Sequence, residues 1–473
     1  MGTAINRKHT KLPMTKIDIL VQNGLVVTID ERQPIIEDGA VAINQGRIVA
    51  VGSMAEIAGQ YQAKKILDAR RKAVMPGFVD THHHFLQNFH KGTRDDLALI
   101  EWIDSVSVPR IRVAVQDYLQ GVYDIQIHAS KLGCVDTIKS GITTILNMEW
   151  ATHPTVIDVF EQAGIRVWHT ITMTDQWISP EVILPHDRLL VLADELMERC
   201  QTSVNGRIAF SYGLACPNSC SEGLIKEVRS LADRNQIPIH IHIAETEYEW
   251  DNIHKKFGTT PTGHLHNLGL LGPDVQGAHS IWLSDEDIEL YRQTGTKVAH
   301  NPECNMKVAD GIAPITKMLE AGLVVSLGTD SCAVNDNMDM FEAMRTAAFL
   351  QKVTTMDPAV LPAPTTLRMA TLGGAEALRM ENEIGSLEAG KKADLILVDL
   401  SGSHMRPINN LENSLVYCAN AHDIQTVICD GQIVMEDRQI MTLDEEEWVS
   451  NATQYAYERF TAEGIELPNY YSL

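Results

Sequence analysis

Short apolar runs and amphipathic stretches alternate through the middle of the chain. Each apolar run is nearly continuous, which is typical of a strand covered on both faces of a parallel sheet. Between the runs, apolar residues recur at helical spacing, as in residues 222–232. This alternation predicts an α/β fold, a (β/α)8 TIM-type barrel. The predicted barrel strands are Ala73–Thr81, Gly141–Met148, Arg166–Met173, Arg207–Gly213, Ile237–Ala244, Val275–Ile281, Lys297–His300 and Val324–Thr329.

The two ends of the chain have β-type patterns instead. Hairpin signals, in which glycine supplies the positive φ of the turn, occur at Asn23-Gly24, Asn44-Gln45-Gly46 and Asp430-Gly431. Each end is too small to bury a core alone, so we expect both to combine into one small β-sandwich. The predicted domains are residues 1–72 and 384–440 for the two parts of the sandwich, 73–383 for the barrel, and 441–473 for a helical tail.

Composition narrows the classes of partner. The chain has 473 residues and a net charge of -23, and so acidic a surface repels nucleic-acid backbones and anionic membranes. No apolar run reaches the roughly 18 residues of a membrane span, and the N-terminus does not resemble a secretory signal. The eight cysteines lack the spacing of a disulfide framework. We therefore expect a cytoplasmic protein that binds a small-molecule substrate rather than nucleic acid or a membrane. Large acidic barrels of this kind often form homo-oligomers, so we also expect a dimer or higher.

Polar segments with metal-ligand or acid–base side chains lie at the carboxyl ends of predicted strands, where barrel enzymes carry their chemistry. His82 and His84 are two positions apart, so strand alternation places both imidazoles on one face. His240 and His242 also share a face, and either is a candidate ligand. The position relative to Glu245 favours His242.

The remaining groups suit the activation of water. A buried carboxylate such as Asp330 has to be paired or metal-bound, because burying it bare is costly. A divalent metal lowers the pKa of a bound water toward about 7. We expect Asp330 to bind this metal and take the proton of its water, Glu245 to carry a proton to the leaving group, and His279 to orient the water.

These segments resemble the motifs of the amidohydrolase superfamily, specifically its aminohydrolase and chlorohydrolase branch. The resemblance extends over most of the chain and implies one divalent ion, Zn²⁺ or alternatively Fe²⁺, bound by His82, His84, His242 and Asp330. Two-metal relatives carry a carboxylated lysine on the fourth strand, and residues 207–213 contain no lysine. The matching segments are Pro76-Gly77 with Asp80, His82 and His84; His242 with Glu245; Ala278-His279; His300-Asn301-Pro302 with Asn305; Gly328-Thr329-Asp330; and residues 384–395.

The resemblance implies hydrolysis at an sp² carbon of a nitrogen heterocycle, with deamination as the first choice. Dechlorination or alkylamine removal of the s-triazine type, and cyclic amide or N-acyl hydrolysis, are the alternatives. Similar branch members include 8-oxoguanine, pterin and S-adenosylhomocysteine deaminases and s-triazine hydrolases. Adenosine-type members carry a histidine after the fourth strand, whereas this chain has Leu214-Ala215-Cys216-Pro217. The candidate substrate-binding residues are Gln87, Trp102, Glu149, Trp150, Cys216, Asn218, His300 and Asn305.

Overall fold

The computed structural model describes residues 14–30, 32–176 and 179–465, so most of the predicted loose tail, residues 1 to about 15, lies outside the described residues. The strands are β1 Thr15–Val27, β2 Ile35–Asn44, β3 Arg47–Ser53, β4 Tyr61–Asp68, β5 Lys72–Pro76, β6 Phe78–His83, β7 Ile142–Glu149, β8 Arg166–Met173, β9 Ile208–Phe210, β10 Tyr212–Leu214, β11 Ile239–Ile243, β12 Val275–His279, β13 Lys297–His300, β14 Val325–Leu327, β15 Leu395–Asp399, β16 Ile424–Cys429, β17 Gln432–Glu436 and β18 Gln439–Ile440.

Helices connect the barrel strands and extend the chain beyond them. They are α1 Met54–Ile57, α2 Leu99–Trp102, α3 Val108–Leu119, α4 Asp124–Lys139, α5 Val156–Ala163, α6 His186–Gln201, α7 Glu222–Asn235, α8 Glu247–Phe257, α9 Pro261–Asn267, α10 Asp285–Thr294, α11 Pro302–Lys307, α12 Ile315–Glu320, α13 Met340–Thr355, α14 Ala363–Met369, α15 Leu372–Ala377, α16 Leu411–Tyr417 and α17 Glu445–Ala462. Short 3₁₀ turns and one π-helical turn, Ile103–Ser107, complete the described part of the chain.

The barrel sheet contains the strands from β6 to β14 in parallel, in the order β14-β13-β12-β11-β10-β8-β7-β6, with β9 beside β8. It nearly closes where the chain after β14 returns to β6, because the backbone N–H of Asp330 donates to the carbonyl of His82 at 2.8 Å. The predicted (β/α)8 barrel is therefore confirmed, and its strand ends gather at one mouth.

Two predicted barrel strands are each divided in the structure. The first, Ala73–Thr81, is β5 in the terminal sheet followed by β6 in the barrel, with the break at Gly77. A Cβ at Gly77 would lie 2.2 Å from the side chain of Thr143, so only glycine allows this close crossing. The fourth, Arg207–Gly213, is divided at Ser211, and β9 pairs with β8 whereas β10 reaches β11.

Both chain ends contribute to a single mixed sheet, in the order β18-β17-β16-β15-β5-β1-β2-β3 with β4 beside β1. The predicted hairpin at Asn23-Gly24 is wrong, because β1 continues through it. Asn23 has a φ of 63°, and the pairing of β1 with β2 shifts register there, so the signal marks a bulge rather than a turn. The hairpins β2–β3 and β16–β17 form as predicted.

Helix α17 packs against the outside of the barrel beside α4. Its N-terminus is capped by Asp444, whose side chain accepts from the backbone N–H of Glu447, and Arg459 donates to Asp117 at 2.6 Å. Residues 466–473 of the predicted helical tail lie outside the described residues. In the described part of the chain, every helix is too short or too polar to cross a membrane.

Candidate metal and active site

The predicted metal ligands converge at the carboxyl mouth of the barrel. Asp330 Oδ1 lies 3.5 Å from His82 Nε2 and 3.7 Å from His84 Nε2. His242 contributes a ring nitrogen to the same centre, within 4.8 Å of ring nitrogens of His82 and His279. His82 Nε2 is buried and has no hydrogen-bond partner among the described residues. An inward-facing imidazole nitrogen left without a partner beside a carboxylate is suited to a cation, so the site fits the implied divalent metal ion.

Hydrogen bonds behind the imidazoles point their Nε2 lone pairs at this centre. His84 Nδ1–H donates to the carbonyl of Met148 at 2.5 Å, and His242 Nδ1–H donates to the carbonyl of Ala215 at 2.6 Å. A backbone carbonyl can only accept, so each ring carries its proton on Nδ1 and keeps Nε2 free. This outer support fixes ring orientation and tautomer as in other histidine metal sites.

His240 supports His82 and is not itself directed at the centre. Its Nδ1 lies 3.1 Å from Gln276 Oε1, which accepts only, so His240 Nδ1 carries the proton. Burial lowers the pKa of His240 to about 3, so the ring is neutral and its Nε2 accepts from His82 Nδ1 at 2.7 Å. Of the two histidines, His242 directs a ring nitrogen at the centre, and this geometry favours it over His240 as a ligand. His83 turns away, with Nδ1 3.0 Å from Thr329 Oγ1.

Positive φ angles turn several of the functional side chains into the mouth. The backbone of Ala244, His279 and Asp330 is left-handed, with φ values of 51°, 67° and 55°. For non-glycine residues this conformation costs roughly 1–2 kcal/mol each and is found mostly where the surrounding structure and function require it. At Asp330 the cost is offset by a hydrogen bond from the N–H of Ser331 to Oδ1 at 2.7 Å.

Glu245 and His279 form a second pair beside the metal ligands. Glu245 Oε1 lies 3.3 Å from His279 Nε2, and Asp330 Oδ2 lies 3.8 Å from the same nitrogen. Burial, followed by the charges of Asp330 and Glu249, raises the pKa of Glu245 well above its usual value. Glu245 is therefore suited to hold a proton near neutral pH, which a group that protonates a leaving amine requires.

A largely apolar pocket opens over these residues. Of the predicted substrate-binding residues, Gln87, Trp102, Trp150 and Cys216 line it together with His84, His242, Glu245, His279 and Asp330. The other lining residues are Leu99, Ile103, Ser107, Ile111, Thr172, Ala215, Ser219, Cys304 and Val334. Apart from Trp102, sequence reasoning missed the wall formed by α2, the π-helical turn and α3. The π-helical turn, a feature frequent at functional sites, has no signal in the sequence.

The other four predicted substrate-binding residues lie outside the pocket lining. Asn305 Oδ1 accepts from His279 Nδ1–H at 2.9 Å, so Asn305 orients the His279 ring. His300 is buried at the end of β13. Asn218 lines a neighbouring cleft with Gln176 and Lys256. The missed Cys304 lies in the same motif as Asn305, one residue before it, and its Sγ is within 4.8 Å of the ligand atoms of Glu245 and His279.

Glu149 is buried behind the pocket, where Oε1 accepts from the N–H of Leu86 at 2.9 Å. Burial raises its pKa to about 8. The folded protein therefore binds the proton of Glu149 more tightly than the unfolded chain does. Below the pKa of the unfolded chain, near 4.5, the carboxyl is protonated in both states, so its ionisation does not lower the free energy of unfolding. As pH rises from there toward 8, the raised pKa lowers the free energy of unfolding progressively. Above pH 8 the loss reaches its full value and no longer changes with pH.

We expect Glu149→Gln to keep the hydrogen bond to Leu86 and to remove that loss. Its free energy of unfolding, relative to wild type, should rise between about pH 5 and pH 8 by up to a few kcal/mol and then level off. Urea denaturation across this pH range measures the difference. A constant difference, or one that shrinks with pH, would show that Glu149 is not buried as a neutral acid.

The comparisons with known proteins agree with this geometry. The model of the amidohydrolase family matches residues 73–434. The 5'-deoxyadenosine deaminase of Methanosarcina mazei is 37% identical over 442 residues, 93% of this chain and 98% of the relative. The 5-methylthioadenosine/S-adenosylhomocysteine deaminase of Syntrophomonas wolfei is 38% identical over 440 residues, 93% and 98% of the two chains.

A solved structure is also similar to this chain. An adenosine deaminase from Xanthomonas campestris with bound zinc superposes with a TM-score of 0.89 at 31% identity, covering 95% of this chain and 100% of that one. Family match, full-length relatives and a converging metal site all agree. The chain belongs to the amidohydrolase family and is a hydrolase that acts on carbon–nitrogen bonds.

Proposed function

We propose that the protein removes the exocyclic amino group of a nitrogen heterocycle as ammonia, with water as the nucleophile. One observation carries the proposal: the carboxyls of Glu245 and Asp330 lie 3.3 Å and 3.8 Å from the same nitrogen, His279 Nε2, at the base of an apolar pocket. Two carboxyls are thus held next to one imidazole, where one can supply a proton and the other can accept one. The deaminase names of the full-length relatives support this reaction.

We infer that the ion is zinc, held by His82, His84, His242 and Asp330. Three imidazoles and one carboxylate are ligands that zinc prefers, and the superposed Xanthomonas campestris deaminase has bound zinc. When bound, the ion would lower the pKa of a water so that it becomes a nucleophile near neutral pH.

The chain's own residues move the protons. Asp330 Oδ2 accepts a proton from the attacking water, and His279, oriented by Asn305, fixes the position of that water. Glu245 begins protonated and gives its proton to the departing amine. The hydroxyl bonded to the ring carbon replaces the amino group, and transfer of the proton from Asp330 to Glu245 restores both carboxyls.

The pocket favours an uncharged substrate. The described lining residues include no lysine or arginine, and their only carboxyls are Glu245 and Asp330. A charged substituent would lose its hydration without gaining a partner. The indoles of Trp102 and Trp150 provide flat apolar surfaces for an aromatic ring. At residue 215, where adenosine-type members are expected to carry a histidine near the substrate, the pocket has only the methyl group of Ala215.

A screen for released ammonia tests both the reaction and this selectivity. The panel contains aminated purines, pterins, pyrimidines and s-triazines, with 5'-deoxyadenosine, methylthioadenosine and S-adenosylhomocysteine as a graded series. We expect an uncharged member to be the best substrate. We expect kcat/KM for S-adenosylhomocysteine, which carries a charged amino-acid tail, to be at least about tenfold below that for 5'-deoxyadenosine. Absence of ammonia from every member would contradict deamination, and a preference for the charged tail would contradict the pocket assignment.

We also infer that the protein acts as a homo-oligomer in the cytoplasm. Helix α13 presents Phe349, Val353 and, at its end, Met356 on one exposed side, with exposed fractions of 54%, 63% and 84%. A second copy would cover such an apolar stripe. All eight cysteines are free, which suits a reducing compartment.

A further inference from the structure

We propose that the active site contains a second cation site, at which Glu245, His279 and Cys304 bind a thiophilic divalent ion such as Zn²⁺ or Cd²⁺ and inhibit the enzyme. Its three ligands are not ligands of the first ion, and Asp330 is the one residue that the two sites share. The inhibition rests on the proposed deamination, whereas the binding itself does not.

The geometry supports a three-ligand site. Glu245 Oε1, His279 Nε2 and Cys304 Sγ all lie within 4.8 Å of one another, and the oxygen–nitrogen separation is 3.3 Å. Two ligand atoms at about 2.1 Å from one tetrahedral ion lie about 3.4 Å apart, so this pair already has nearly the required separation. Cys304 Sγ, on the same side of the pocket mouth, supplies the third ligand atom.

Asp330 is placed to link the two ions. Its Oδ1 faces His82 and His84 at 3.5 and 3.7 Å, whereas its Oδ2 faces His279 Nε2 at 3.8 Å. The two oxygens of one carboxylate therefore point toward different centres. The second ion gains a fourth ligand without removing Asp330 from the first.

Cys304 determines which cations this site selects. A thiol that becomes a thiolate on binding, an imidazole and a carboxylate together suit zinc and cadmium, whereas magnesium prefers oxygen ligands in octahedral geometry. Cys304 is held in the short helix α11 and is 1% exposed, and it is one of the residues that line the pocket. Cys216 also lines the pocket but is absent from the described metal-ligand clusters.

The second ion would inhibit by occupying the groups that act on the substrate. Glu245 Oε1 could no longer deliver a proton, and His279 Nε2 could no longer orient the water. Activity should therefore rise as the first equivalent of zinc binds and fall as the second binds.

Metal titration of wild type, Cys304→Ser and Cys216→Ser tests this site. Each protein is loaded with one equivalent of zinc and dialysed against increasing Zn²⁺, Cd²⁺ or Mg²⁺, and bound metal, thiolate-to-cadmium absorption and ammonia release are measured. We expect wild type and Cys216→Ser to bind a second equivalent of Zn²⁺ or Cd²⁺, to develop the absorption with cadmium and to lose activity. Mg²⁺ should have none of these effects.

For Cys304→Ser, each rate is expressed relative to the same variant without added metal. The concentration that halves this rate should increase at least about tenfold, and the cadmium absorption should disappear. If Cys304→Ser does not fold, Cys304→Ala is used in its place. Equal inhibition of wild type and both Cys304 variants, or no second equivalent in wild type, would overturn the proposal. Metal content and absorption report on the site even if no substrate in the panel is deaminated.

Discussion

Asp330→Asn is expected to lower kcat/KM by at least about 10⁴-fold, because one substitution removes both a proposed metal ligand and the group proposed to take the proton of water. The backbone should tolerate the change. Asp330 has a φ of 55°, a conformation that asparagine adopts readily, and the amide oxygen can still accept from the N–H of Ser331. The loss should therefore be chemical, and the thermal unfolding of the metal-free protein should change little.

Asp336→Asn is the matched control for this experiment. Asp336 also has a positive φ, 71°, lies six residues farther along the same loop, and bonds Gly92 and Lys307 rather than the site. It should retain metal and turnover. Metal analysis beside steady-state kinetics separates the two roles of Asp330. Near-normal turnover of Asp330→Asn with metal bound would refute both.

The sequence could place the candidate residues at the barrel mouth, because their placement depends on local geometry. Two positions along a strand bring side chains to one face, so His82 and His84 are paired by alternation alone. The carboxyl end of a parallel strand fixes which mouth of the barrel a residue faces. Glu245 and Asp330 could be placed by these rules and by the resemblance, with no knowledge of the packing between strands.

Other parts of the site depend on contacts between distant segments. His240 shares a strand face with His242, which the sequence favoured only by its position relative to Glu245. The place of His240 across the sheet from Gln276 and beside His82 indicates that it supports His82. Asn305 was expected at the substrate, but its amide meets His279 across the barrel mouth. A one-dimensional pattern specifies which face a side chain occupies and leaves open which neighbour it meets.

The errors in the fold have the same origin. Asn23-Gly24 has the composition of a tight turn, yet pairing with β2 and with β5 keeps β1 continuous through a bulge there. The apolar run from Ala73 to Thr81 is uninterrupted in hydropathy, and the change of sheet at Gly77 comes from its close approach to Thr143. Tertiary pairing overrode the local signal in both places.

Glu245→Gln is expected to retain the metal and to lower kcat by about 10²–10⁴-fold, with a small change in KM. Glutamine has the shape of the protonated carboxyl but cannot give up a proton to the leaving amine. The fold should survive, because Glu245 is partly exposed to the pocket and its loss leaves no buried charge unpaired. Steady-state kinetics with metal analysis measures the effect, and Glu247→Gln, two residues farther on the exposed face of α8, is the control.

The nature of the leaving group shows which proton Glu245 moves. Departure of an amine needs a proton, whereas departure of chloride from the same ring carbon does not. If Glu245 acts on the leaving group, Glu245→Gln should lower the rate far more for an amino heterocycle than for its chloro analogue. Equal losses would instead assign Glu245 to the attacking water. Loss of the metal from the variant would make Glu245 a ligand, and its raised pKa would then have no role in proton delivery.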